Sequence, residues 1–595
     1  MGLSRPMRLD AARRLMTEGR HAEADRLADD LLADSPRDMD ALVLKSAVLI
    51  AAGDRERAFV LLGRLAEAAP ERADVSANLG LLHRVEGRGA EARFCYERAV
   101  DLAPAEGAYS CALVSILLSL GDIDAARERL RSVAALEGLE ADIALQAEIH
   151  GLDARIALLE NRPTAAERAV RRALALRPEE EGDLILLSDA LAQTGQRQAA
   201  LETAELAYLR APASHDGVCL LARRLMEAGR MEEAERHLVR TVAVAPLHVE
   251  AAFLLAHARI ARGETAEALA PFAALVRRVP DDADLLMRMA TLLRLTGDLE
   301  KALACASEAA RRAPSTPSFE TWRDELKLAL GRVDEVWPVR ADVPNMPDAV
   351  LVPPGIPAGE ALLLARFAQG TTSAEPPVCH LEAALVPLLD GVPGLRLSVE
   401  PAPPEAISLG ELPRRRGTTA QPPYLAVEAS RLDMWRQALE AFKRPWIGLY
   451  WDDAAGFDLA SLAAWVESVG PECATLVSLA FDGRRQDLQG RDSILDAGAR
   501  FRDAKDLAAC VALLDFAVCA DGLPAHVAGA LGRPGIVAVP PAQPWSWAHR
   551  EGRSIWYPSL HVVRGRDVAR TLDANPAVCA DFARAVLAGA GGEEE

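Results

Sequence analysis

At 595 residues the chain is too long for one hydrophobic core; an extended array plus a globular part of about 250 residues accounts for it. Its 87 acidic against 67 basic side chains leave a formal charge of −20, which argues against duplex nucleic acid as a ligand, because phosphate binding needs a basic face. The nine cysteines are scattered without a Cys-x-x-Cys pair, so neither a disulfide framework nor a zinc site is indicated, and no stretch approaches the roughly 20 apolar residues that span a bilayer.

The N-terminus, Met1-Gly2-Leu3-Ser4-Arg5-Pro6, lacks the apolar run of a signal peptide, and the expected setting is cytoplasmic. From there a period sets in. Gly19, Gly53, Gly87 and Gly121 stand 34 residues apart, and after one longer step to Asn161 the series resumes at Gly195, Gly229, Gly263, Gly297 and Gly331. Five residues after each marker comes an alanine, from Ala24 and Ala58 to Ala268 and Ala302, and prolines 36, 70, 104, 178, 212, 246, 280 and 314 close the units. Glycine turns the chain between two helices, alanine lets them approach, and proline ends the second helix. This period resembles the tetratricopeptide (TPR) repeat and predicts a helical solenoid over residues 1–337, about nine repeats and a terminal helix. The longer step contains Leu136-Glu137-Gly138-Leu139-Glu140, where an insertion lengthens a connection.

In TPR units the fifth and sixth residues of the first helix face the groove, which points to Ile185 and Leu186, Cys219 and Leu220, and Phe253 and Leu254, with Met226, Ile260 and Met287 nearby. Such an apolar strip suits the apolar face of an amphipathic partner helix. Packing of the same side chains against a neighbouring repeat is the competing expectation. Only Asn78 remains of the asparagine ladder that lines the TPR arm of O-linked N-acetylglucosamine transferases.

Six prolines between Pro338 and Pro357 predict a stiff connector. Residues 358–442 then read as a first, poorly marked half: Ala361 to Phe367 is strand or helix, a helix surrounds Leu381 to Leu389, and Arg396 to Val399 is a strand. The run Arg414-Arg415-Arg416 reads as a solvated loop. Residues 443–590 read as a βα-type half, with strands at Trp446–Trp451, Ala474–Leu479, Asp515–Ala520 and Gly535–Val539 and helices at Leu459–Val469, Lys505–Leu514 and Pro524–Leu531. The acidic end, 591–595, is a frayed tail.

The segment Asp515-Phe516-Ala517-Val518-Cys519-Ala520-Asp521-Gly522-Leu523-Pro524-Ala525-His526-Val527-Ala528-Gly529-Ala530-Leu531-Gly532-Arg533-Pro534 resembles the nucleotide-sugar segment of GT-B glycosyltransferases. Trp545-Ser546-Trp547 and Ser554-Ile555-Trp556-Tyr557-Pro558 resemble its usual continuation, and Gly359-Glu360, Gly417-Thr418-Thr419 and Val477-Ser478-Leu479 fall in the family's order. The likeness is to bacterial proteins that fuse a TPR arm to a heptosyltransferase-like or O-GlcNAc-transferase-like domain, flagellin glycosyltransferases among them. It implies an α plus α/β chain, a TPR solenoid followed by a GT-B-like double Rossmann domain. It further implies transfer of a sugar from a CMP- or UDP-linked donor, a nonulosonic acid in the CMP-linked case, to Ser or Thr of a protein such as flagellin held on the TPR groove.

By this resemblance Trp451, Ser478, Asp521, Gly522, Leu523, Ala525 and His526 bind the nucleotide sugar, and Asp452 and His526 are catalytic. A helix opening just after a strand end aims its N–H groups at a phosphate, and no metal or other cofactor is expected. The chain departs from the family pattern at Gly522, where relatives carry Thr or Ser, at Asp452-Asp453-Ala454-Ala455, at Ala480-Phe481 and at Glu360. Those departures leave three readings: a transferase with an altered donor, a non-catalytic TPR adaptor or chaperone with a degenerate domain, and a transferase acting on a polysaccharide or lipid carrier.

Overall fold

The computed structural model of the chain describes residues 4–17, 19–136, 139–337, 348–368, 376–416, 422–452, 456–469, 474–565, 572 and 576–590. The insertion at 137–138, the connector at 338–347, Gly417-Thr418-Thr419, Asp453, the side chains of Arg415 and Arg416, and the tail 591–595 lie outside the described residues. Two compact units are present, Met1–Ala258 and Arg259–Glu595.

The first unit consists of helical hairpins, such as Met39–Ala51 with Arg55–Ala68 and His215–Glu227 with Met231–Val244. Each hairpin turns on a marker residue in the left-handed region, with Gly53 at φ 82° and Gly195 at φ 80°. At the first of these turns the Gly53 and Asp54 N–H groups return to the Ile50 and Leu49 carbonyls, satisfying acceptors that the helix end leaves open. Asn161 holds the same conformation, φ 55°, which explains how it replaces glycine in the series. The in-phase alanines Ala58, Ala92, Ala126, Ala166, Ala200 and Ala234 are fully buried, so a larger side chain would push the paired helices apart. After the insertion, a short 3₁₀ turn (Leu139–Ala141) leads into Ile143–Leu159, a 17-residue helix where its counterparts have 13.

The second unit opens with the remaining repeats, including Ala283–Thr296, Leu299–Arg312 and Pro317–Ala329. Four short strands follow, β1 (Ala349–Leu351), β2 (Val378–His380), β3 (Arg396–Ser398) and β4 (Ile407–Ser408), forming a parallel sheet of order β3-β2-β1-β4. β1 lies inside the stretch the prolines mark as connector, and Ala361 to Phe367 resolves to helix, Ala358–Ala365 with a 3₁₀ turn after it. The region around Leu381 to Leu389 holds only short helical turns, Ala383–Leu385 and Val386–Leu389.

The larger sheet comprises β5 (Trp446–Tyr450), β6 (Thr475–Ser478), β7 (Ile494–Asp496), β8 (Phe516–Ala520), β9 (Gly535–Val539), β10 (His549–Arg550), β11 (Arg553–Ser554) and β12 (Leu560–Arg564). Its order is β10-β11-β12-β9-β8-β5-β6-β7, parallel from β12 to β7 with β10 and β11 added antiparallel. Counting only the parallel strands in chain order gives 3-2-1-4-5-6, a doubly wound arrangement whose direction of winding reverses between β5 and β8. Every residue of β5, β8 and β9 is buried, as expected of strands covered on both faces.

Candidate functional site

In doubly wound sheets the ligand crevice lies outside the carboxyl ends of the strands where winding reverses. Here those ends carry Trp451 and Asp452 after β5 and Asp521 and Gly522 after β8. The Asp452 backbone exchanges hydrogen bonds with Phe457 at 2.9 and 3.0 Å, and 31% of the Asp452 side chain is exposed. Tyr450 closes the floor, for a Cβ on Gly522 would stand 2.5 Å from its ring. The Tyr450 hydroxyl accepts from Arg484 Nη1 at 2.8 Å, and the Arg484 Nη2 lies 3.9 Å from Asp452. Burial pushes the Tyr450 hydroxyl up to about 12, so it stays protonated.

Asp521 keeps 37% of its side-chain surface and accepts the Trp547 indole N–H at 2.6 Å. Burial raises its carboxyl above the usual range, the Trp547 bond opposes that, and the charge of Asp452 adds to it. Glu360 is raised by burial and by Asp521. At the reversal point Glu360, Asp452 and Asp521 therefore gather with Arg484, whose guanidinium is also paired with Asp482, beside the opening of helix Leu523–Ala530. The Ala525 and His526 N–H groups return to the Gly522 carbonyl and Pro524 has none, so Gly522 and Leu523 are the helix-end donors placed to meet an anion.

His526 sits behind this wall. Its Nδ1 lies 3.1 Å from the Tyr557 hydroxyl, its ring packs on Trp547 at 4.5 Å between centroids, and a Cβ on Gly359 would reach within 2.8 Å of its Nε2. Burial drives its pKa down to about 3, so the ring is neutral. The Leu362 carbonyl can only accept; Tyr424 donates to it at 3.3 Å, Tyr557 in turn donates to Tyr424 at 3.4 Å, and His526 Nδ1 is left to donate to Tyr557. That order makes Nε2, 3.9 Å from Asp521, an acceptor rather than the donor a leaving oxygen would need.

Other residues tied to the nucleotide by sequence are distributed unevenly. Trp451 is fully buried with its indole N–H given to Asp487 at 2.7 Å, Ser478 is buried and accepts from the Ala480 N–H, and Ala525 is enclosed in its helix. Asp452, Asp521, Gly522 and Leu523 retain surface. Tyr450 and Arg484 are the additions; the sequence signal for Arg484 was its place just after β6, in Asp482-Gly483-Arg484-Arg485.

In the first unit Cys219, Leu220 and Leu254 are buried among the helices, whereas Ile185, Leu186 and Phe253 are half-buried. A cavity of about 530 Å³ is lined by Ile185, Leu186, Cys219 and Leu220 but also by Glu148, Arg155, Arg177, Asp183, Arg223 and Glu250. Arg177 holds Asp183 through two bonds of 2.6 and 3.0 Å, and Arg223 holds Glu250 at 2.9 Å. The strip expected to be apolar is thus bordered by ion pairs. Met287 belongs to the second unit, half-buried against Ala290 and Leu293. Asn78 donates to the Val43 carbonyl and the Ser46 hydroxyl.

Among the described residues no helix is long and apolar enough to cross a membrane. No curated protein matches the sequence. Among solved structures, the Cut9–Hcn1 hetero-tetramer of the APC/C is similar at 14% identity and TM-score 0.36 over 54% of this chain; the match spans 56% of that one, little more than half its length. The human IFIT1 dimer with m7Gppp-AAAA is similar at 17% identity and TM-score 0.37, covering 51% of this chain and 80% of that one. PilF of Pseudomonas aeruginosa is similar at 17% identity and TM-score 0.30, covering 36% and 94%. The tetratricopeptide repeat model matches residues 219–283 and 254–317. The N-terminal helical array thus carries tetratricopeptide repeats, matched over residues 219–317.

Proposed function

We propose that the chain is a protein O-glycosyltransferase whose TPR arm recruits the acceptor, flagellin in the resemblance drawn from the sequence, and whose two sheets form a GT-B-like domain for a CMP- or UDP-linked sugar. The observation that carries this reading is the reversal of winding between β5 and β8, with Asp452, Asp521, Gly522 and Arg484 grouped at that end of the sheet. In the reaction, the acceptor hydroxyl gives its proton to the Asp452 carboxylate and its oxygen bonds to the anomeric carbon. The bond from that carbon to the phosphate oxygen breaks, and the nucleotide leaves with the electron pair, its charge met by Arg484 and the Leu523 N–H. His526 acts on this site by holding Trp547 and the helix opening in place.

A second reading, a non-catalytic adaptor, is favoured by the enclosure of His526 and by the carboxylates of Glu360, Asp452 and Asp521, which repel an anionic donor. Calorimetric titration of the full chain with CMP and UDP separates the two. The transferase reading expects one of them to bind, Arg484→Met to weaken it about tenfold or more, and flagellin incubated with the sugar nucleotide to gain the mass of the sugar. Absence of both nucleotide binding and mass gain overturns it in favour of the adaptor.

A further inference from the structure

Loop 540–547 joins the crevice to the end of the repeat array. The Gln543 carboxamide is buried and donates to the Ala329 carbonyl at 3.1 Å, an acceptor that the C-terminal turn of helix Pro317–Ala329 cannot satisfy, and to the Trp547 carbonyl at 2.9 Å. On the same loop Arg294, from helix Ala283–Thr296, donates to the Ala542 carbonyl at 3.0 Å. At the far end the indole of Trp547, fully buried, donates to Asp521 and stacks on His526. The sequence from repeat to crevice is thus Ala329, Gln543, Trp547, Asp521, each link a contact shorter than 3.2 Å or a covalent run of four residues.

We propose that Gln543 and Trp547 are positioning residues through which the last tetratricopeptide repeat fixes the Asp521 carboxylate at the mouth of the crevice. An indole N–H on a partly exposed carboxylate holds it in one rotamer only if the indole itself cannot shift. Packing on His526 fixes one face of the ring, and Gln543 fixes the backbone that carries it. The repeats of the second unit are then a wall of the site as well as part of a recruiting arm. Assigning a nucleotide to this crevice rests on the transferase reading; the tie itself does not.

The test is fluorine NMR on the full chain grown with 5-fluorotryptophan, the Trp547 signal being identified by its loss in Trp547→Phe. The groups facing Asp521 are Asp452 after β5, Glu360 on helix Ala358–Ala365, and the neutral His526. In the wild type the Trp547 signal titrates as Asp521 ionises, and Asp521→Asn abolishes that titration. Gln543→Met, which keeps the volume and removes both donated bonds, is expected to raise the midpoint by about one pH unit, because a loosened indole stabilises the carboxylate less. Arg294→Met, acting on the other end of the loop, is expected to shift it in the same direction. An unmoved midpoint in both folded variants, or a titration that persists in Asp521→Asn, overturns the proposal. Titration of the same samples with CMP and UDP is read separately: a wild type that binds neither defeats the transferase reading and leaves the tie standing.

Discussion

Asp521 is subject to opposing influences: burial, the largest, and the charge of Asp452 disfavour its charge, and the Trp547 indole N–H favours it. A carboxyl whose folded pKa lies above its unfolded value, about 3.9, is held without electrostatic cost below that pH and loses stability as pH rises through the folded value. Asp521→Asn keeps an oxygen for Trp547 and removes the charge. It is therefore expected to raise the melting temperature of the second unit at pH 7 and to leave it unchanged near pH 3.5, as read by scanning calorimetry across pH; a gain of equal size at both pH values would contradict the assignment. The strand-to-helix run Asp515 to Pro534 made Asp521, Gly522 and Leu523 legible in the sequence, because a strand that ends at a glycine before a helix leaves little choice of geometry. Enclosure was not legible. His526 is sealed by Gly359 and Tyr557, which are 167 and 31 positions away, and Trp451 turns inward to Asp487; neither contact leaves a local mark.

Helical hairpins were the most legible elements, since a turn in the left-handed region demands a specific residue and the demand recurs every 34 positions. Asn161 tests that account. At φ 55° an asparagine pays a Cβ penalty that glycine does not, so Asn161→Gly is expected to stabilise the first unit by up to about 1 kcal/mol, while Asn161→Ala destabilises it by about 1 kcal/mol. Urea denaturation of the three proteins gives the order Gly, Asn, Ala; a glycine variant no better than alanine would show that the turn is held by its neighbours instead. Strands were legible in proportion to their length and burial. The five-residue β5, β8 and β9 stood out as apolar runs, whereas β1 has only three residues, Ala349-Val350-Leu351, between the prolines at 347 and 353. Its strand character comes from pairing with β2 and β4, whose partner residues lie 29 and 57 positions later, and such pairing carries no local signature.

For the molecule as a whole, periodicity and packing divide the chain at different places. The repeat period runs to Trp337, but the last repeats belong to the same compact unit as the sheets. Trp337 shows why: it is buried in an aromatic group with Phe367, Trp545 and Trp556, at centroid distances of 5.7, 5.8 and 5.8 Å, and Leu328 joins the same core. Aromatic residues recruited from a repeat into a neighbouring core leave the period intact, so the sequence shows the repeat without its attachment. A tryptophan buries roughly 170 Å², worth about 4 kcal/mol at about 25 cal/mol per Å². The ties from Arg294, Gln543 and Arg550 to backbone carbonyls are lost together with it when the chain is cut at the end of the period. A fragment of residues 338–595 is accordingly expected to melt about 10 °C or more below a fragment of residues 259–595, and to bind a hydrophobic dye through the uncovered Phe367, Trp545 and Trp556. Circular dichroism melting of the two fragments decides the matter: equal melting temperatures would mean that the sheets form a self-sufficient domain and that the repeats beside them are attached without supporting it.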